Sequence, residues 1–121
     1  INGSNGADTI GASASAPGQP LPTTAADSIF GNDGNDVIDG LGGADTILGG
    51  TGDDRVVYRS DAGSLNGGSG RDVLVMLAAD TINLGAADQS LGAPAVAGFD
   101  EVDASGLSAA ISVTGNASNN T

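Results

Sequence analysis

The sequence predicts an all-β chain wound as a right-handed parallel β-roll: a β-solenoid of nonapeptide repeats with an irregular β-rich C-terminal segment. Three observations predict it. Glycine makes up 21 of the 121 residues, and the only aromatic side chains are Phe30, Tyr58 and Phe99. So few large side chains cannot fill a thick core, whereas thin repeating layers can bury small aliphatics beside glycine. A glycine- and aspartate-rich unit returns every nine residues, in unbroken register from Pro22 to Val75. Within each unit a large aliphatic side chain returns at the eighth place.

The units define one another by phase. Gly49–Val57 and Gly67–Val75 both have the form G-G-x-G-x-D-x-U-x, where U is a large aliphatic. Gly31–Asp39 fits with Asn32 in the second place, Gly40–Leu48 with Leu41, and Gly3–Gly11 with Ser4. Pro22–Phe30 keeps only the ending Asp27-Ser28-Ile29. Tyr58–Asn66 holds phase with Leu65 at the aliphatic place, but carries Gly63 where Asp belongs and Asp61 two places early. The last three residues of each unit form a very short strand, whose alternation turns U to one face and its neighbours to the other. The inward set is then Ile10, Ile29, Ile38, Ile47, Val56, Leu65 and Leu74, side chains suited to stacked rungs. The first six residues form a turn, where glycine permits positive φ and close backbone approach.

Two units make one coil, so each turn stacks on the turn two units later. Asp36 then faces Asp54, Asp54 faces Asp72, and Asp27 faces Asp45. Asp8 is expected to face Asp27 if residues 12–21 act as one looped-out repeat. The charge supports a cation between such turns. Asp and Glu total 15 against Arg55, Arg59 and Arg71, with no Lys, for a net charge of −12. Calcium takes six to eight oxygens at about 2.3–2.6 Å, which two carboxylates and the carbonyls of neighbouring turns can supply. Without metal, like charges would stand close together in a partly dehydrated groove, at considerable cost. Asp33 and Asp53, inside turns, are either extra ligands or exposed charges.

These nonapeptides resemble the RTX (repeats-in-toxin) family, strongly over residues 3–11 and 22–75. The resemblance implies a fold stabilised by several calcium ions (Ca2+). It implies the sixth-place carboxylates as side-chain ligands: Asp8, Asp27, Asp36, Asp45, Asp54 and Asp72. Further oxygens would come from the turn positions Gly31, Asp33, Gly34, Gly40, Gly42, Gly49, Thr51, Gly52, Gly67, Ser69 and Gly70.

The remainder divides the chain into a β-roll over residues 1–84, with a low-complexity loop insertion at 12–21, and a strand-rich linking segment over 85–121. Asp80-Thr81-Ile82 repeats the end of the unit one residue out of phase. Asp100, Glu101 and Asp103 are read as a solvated acidic edge, with another cation site as the alternative. Gly115–Thr121 fits the first seven places of a unit, with Asn120 in the Asp place, and Ile1-Asn2 would complete it. One period of a tandem array, or a unit stacking head to tail with copies of itself, is therefore expected.

Composition also excludes function classes. So acidic a chain has no basic surface for nucleic acid, and no apolar run long enough to insert in a membrane. With no His, Cys or Lys, the usual nucleophile–base pairs are missing and no enzyme is expected. The expected function is a calcium-rigidified structural segment of a secreted bacterial surface or extracellular filament protein (an S-layer, adhesin stalk or fibre), its partners copies of itself. Cell-surface polysaccharide is a further candidate partner. The alternative is a calcium-dependent folding or secretion module attached to a secreted RTX enzyme or toxin. A ligand-binding adhesin tip would want exposed aromatics or an irregular pocket, at which only Tyr58 and Arg59 hint.

Overall fold

The computed structural model describes residues 1–60, 63–77, 81–83, 95–108 and 111–114. Its strands are β1 (Thr9–Ile10), β2 (Ser28–Asp33), β3 (Val37–Ile38), β4 (Thr46–Thr51), β5 (Arg55–Tyr58), β6 (Ser64–Ser69), β7 (Val73–Met76), β8 (Thr81–Asn83), β9 (Ala95–Ala97), β10 (Glu101–Asp103) and β11 (Ser112–Thr114). No helix occurs among the described residues. Two parallel sheets take alternate strands, one in the order β1-β3-β5-β7-β10 and the other β2-β4-β6-β9. This is the expected β-roll, and its pairing follows the period of two units: Ile29 lies beside Ile47, Ile47 beside Leu65, Ile38 beside Val56, and Val56 beside Leu74. β8 and β11 form a separate parallel pair.

The seven aliphatics assigned inward are all buried, none more than 2% exposed. They form one core together with Tyr58, Met76, Val96 and Phe99, and Ile1, Val102, Ala104 and Leu107 pack against it. Burial of the eighth-place column follows from strand alternation alone. Tyr58 joins the core for a second reason. It holds the first place of the unit whose sixth place is Gly63. Elsewhere that first place is tied to glycine, because a Cβ on Gly31, Gly40 or Gly49 would strike the Oδ2 of the Asp in its own turn. Where the carboxylate is missing, a large ring can point inward. Tyr58 is therefore fully buried, so it is not the exposed aromatic that a ligand-binding tip would need.

Two expectations are corrected. Asp8 does not face Asp27. Thr9 pairs with Val37 and Ile10 with Ile38, which places Asp8 on the same edge of the roll as Asp36. Residues 12–21 are thus an insertion at a corner between two halves of one coil, not a looped-out repeat. Ala16 at 5% exposure and the bridge between Gly11 and Ala14 tie that corner down. The roll also continues past residue 84: β9 adds to β6 and β10 to β7. Residues 115–121, Asp61 and Asp80 lie outside the described residues.

Candidate metal centre

The turns fall on two edges. The first edge carries Gly3–Asp8, Gly31–Asp36, Gly49–Asp54 and Gly67–Asp72; the second carries Pro22–Asp27, Gly40–Asp45 and Gly63. The sequence builds the full turns through their second and fourth places. Asn32, Leu41, Gly50 and Gly68 at the second, and Gly34, Gly43, Gly52 and Gly70 at the fourth, all have positive φ. The stacking is close enough that a Cβ on Gly52 would strike the carbonyl of Gly34, and one on Gly70 that of Gly52. Gly34 N–H donates to the Thr51 carbonyl at 2.8 Å and Gly52 N–H to that of Ser69 at 2.9 Å.

Along the first edge the sixth-place aspartates form a continuous column. The N–H of Asp8 donates to Asp36 Oδ1 at 2.8 Å, that of Asp36 to Asp54 Oδ1 at 2.8 Å, and that of Asp54 to Asp72 Oδ1 at 2.9 Å. Asp72 N–H continues the series to Asp100 Oδ2 at 3.2 Å. Asp100 reaches this place because the last turn is cut to Gly98-Phe99-Asp100. Gly98 stacks on Gly67, while Phe99 is buried at 1% exposure. On the second edge Asp27 N–H donates to Asp45 Oδ1 at 2.9 Å, and Gly63 ends the carboxylate row.

The other acids have different employment. Asp33 accepts the Thr51 hydroxyl at 2.8 Å, and Asp53 accepts the Arg71 N–H at 2.9 Å while donating its own N–H to Asn35. Both lace neighbouring turns together. Glu101 pairs with Arg71 at 2.9 Å and Asp103 with Arg55 at 2.8 Å, so the acidic group at 100–103 is divided between ion pairs and the aspartate column. The Ser105 hydroxyl and N–H and the Arg55 guanidinium hold the Asp103 carboxyl low, at about 2. Arg59 clasps both oxygens of Asp39 at 3.0 and 2.8 Å. Burial alone would raise Asp39, but the Arg59 hydrogen bonds, that of the Leu41 N–H and the guanidinium charge bring it below the usual range.

The column carboxylates are the anomaly. Asp36, Asp54 and Asp72 are at most 1% exposed. Each spends Oδ1 on a backbone N–H, while Oδ2 is buried with no hydrogen-bond partner among the described residues. A buried carboxylate oxygen without a partner is costly. Burial accordingly pushes all three upward despite the N–H bonds, helped in Asp36 by the charges of Asp54 and Asp8 and in Asp54 by that of Asp53. Asp72 reaches about 6, with Asp54, Asp100 and Asp53 adding their repulsion. No cluster of three or more His, Cys, Asp or Glu able to hold a metal occurs among the described residues. Any cation here must instead take single carboxylates from successive turns together with main-chain oxygens. That donor set, all hard oxygen on flexible glycine-rich turns, fits calcium.

Residues 23–56 match the family model of the RTX calcium-binding nonapeptide repeat, in four copies. Over that stretch the chain is similar to RTX repeats. The RTX match takes in Asp27, Asp36, Asp45 and Asp54. Gly67–Asp72 beyond it repeats the geometry of the matched turn Gly49–Asp54, with Gly68 and Gly70 at positive φ and Asp72 in the column. No curated protein and no solved structure matches the chain. No helix among the described residues is long and apolar enough to cross a membrane.

Sequence reasoning found Asp36, Asp54 and Asp72 with their partners, and the pair Asp27–Asp45. It named Asp100 only within an acidic edge or a separate cation site and missed its place in the column, because its Asp-Glu-Val ending matches D-x-U but follows a turn too short to register. It also missed that Ser4 and Thr23 hold Asp8 and Asp27.

Proposed function

We propose that this chain is a calcium-binding structural segment of a secreted bacterial protein, folding and stiffening as ions enter the first edge of the roll. The observation that carries the reading is the buried, unpartnered Oδ2 of Asp36, Asp54 and Asp72. The turns 31–36, 49–54 and 67–72 would hold the ions, through the carboxylates of Asp36, Asp54 and Asp72 and carbonyls of the stacked glycine-rich turns. Calcium supplies the positive charge these carboxylates lack. The protein's own residues orient one oxygen of each Asp through the N–H of the preceding rung and bring successive turns within reach of one ion.

Because the ligands are assembled only in the folded roll, binding energy becomes folding energy. A chain of net charge −12 resists compaction while calcium is scarce and folds where it is plentiful, which suits a role outside the cell. The role is mechanical rather than catalytic. The outer edge of the first coil, formed by Asn2 and β1, pairs with no further strand among the described residues. An open rung of this kind supports stacking on a copy of the same fold in a surface layer, stalk or fibre. Circular dichroism of the full chain during a calcium titration tests the folding claim. Gain of β signal with calcium and loss on chelation are expected; an unchanged spectrum overturns it.

A further inference from the structure

The first turn on each edge differs from those that follow. In Gly3–Asp8 the second place is Ser4, and both its N–H and its hydroxyl donate to Asp8 Oδ2, at 2.5 and 2.9 Å. In Pro22–Asp27 the second place is Thr23, which donates to Asp27 Oδ2 in the same two ways, at 2.7 and 3.0 Å. Each hydroxyl also accepts the N–H of the fourth-place residue: Gly6 at 3.2 Å and Ala25 at 3.1 Å. Neither Ser4 and Gly6 nor Thr23 and Ala25 take the positive φ found at the second and fourth places of the later turns. The carboxylate oxygen left bare at Asp36, Asp54 and Asp72 is thus fully employed at Asp8 and Asp27.

We propose that the Ser4 and Thr23 hydroxyls replace calcium in the first coil, closing its turns by hydrogen bonds and excluding Asp8 and Asp27 from the ligand set. The coil closes its turns without metal, and calcium loading begins at Asp36. This rests on the calcium reading of Asp36, Asp54 and Asp72. Physically, a second-place hydroxyl residue folds back on its own Asp as Ser and Thr do in local side-chain turns. Glycine at that place opens the left-handed turn and leaves the oxygen for a cation.

Ser4→Gly makes the first turn Gly-Gly-Asn-Gly-Ala-Asp, the full repeat form, since Gly6 already stands in the fourth place. Calcium stoichiometry of the full chain, by isothermal titration calorimetry, should rise by one ion in S4G. It should be unchanged in Asp8→Asn and fall in Asp54→Asn. An unchanged count in S4G, or a lost ion in D8N, overturns the proposal while the fall in D54N leaves the calcium reading standing. No fall in D54N would refute the calcium reading itself. Dichroism in calcium verifies that each variant folds. Should S4G not fold, D8N alone decides between a capped and a ligating Asp8.

Discussion

The N–H of Asp36 donates at 2.8 Å to Oδ1 of Asp54, eighteen residues further along the chain. The bond fixes which oxygen of Asp54 is spent on the scaffold and leaves the other buried and bare. It makes the carboxylate both a structural acceptor and an uncompensated charge, and the two roles are separable by substitution.

Asp54→Asn keeps an amide oxygen for the Asp36 N–H while removing the charge. In calcium the midpoint of the folding titration should rise on the order of tenfold, since a charged ligand is lost. In chelator the same variant should be more stable than the parent, because a buried charge no longer has to be accommodated. Thermal melts under both conditions check this; the same sign of change in both would contradict it.

Acid should substitute in part for calcium. Asp36, Asp54 and Asp72 bind protons more tightly folded than unfolded, so they favour folding below their unfolded values and withdraw that support as pH rises. For Asp72 the window lies between the ordinary 3.8 and about 6. In chelator, the melting temperature should rise as pH drops from 7 to 5. In saturating calcium it should fall over the same range, because protons compete with the ion.

Phe99 closes the shortened last turn from within the core. Phe99→Ala should cost about 3–5 kcal/mol in denaturant melts at saturating calcium, a large loss for a roll with so few big side chains. A loss under about 1 kcal/mol would mean that the cavity collapses or that the ring is not essential to the packing.

Glycines in the turns should divide sharply. Gly50 has φ of 124° and its Cβ would strike the Asn32 carbonyl; Gly50→Ala should cost at least about 2 kcal/mol and weaken calcium-induced folding. At Gly6 a Cβ would meet only Ser4 Oγ, at 4.0 Å, so Gly6→Ala should change stability by less than about 0.5 kcal/mol. Calcium titrations followed by dichroism rank the two.

Much of this was legible in the sequence because period and phase are counting problems. Nine-residue spacing assigned Ile29, Ile38, Ile47, Val56, Leu65 and Leu74 to a buried column and set Asp36 on Asp54, with nothing beyond strand alternation and a two-unit coil. Counting fails where length changes. The insertion at 12–21 could have taken the place of a repeat or sat at a corner, and only tertiary pairing decides that Asp8 meets Asp36. The cut from six turn residues to three before Asp100 erased the phase that would have revealed it. Ser4 and Thr23 were legible only as departures from glycine, because the sequence does not show whether a hydroxyl points to solvent or back to its own carboxylate.

In the aspartate column the N–H groups of Asp8, Asp36, Asp54 and Asp72 all point the same way, each to the carboxylate of the rung after it. An interior rung is therefore held from both sides and an end rung from only one, as in a line of coupled spins. Such a line opens by fraying from its termini, and a break in the middle costs two interfaces at once. The roll should lose order as a zipper does, with Asp54 the last link to part.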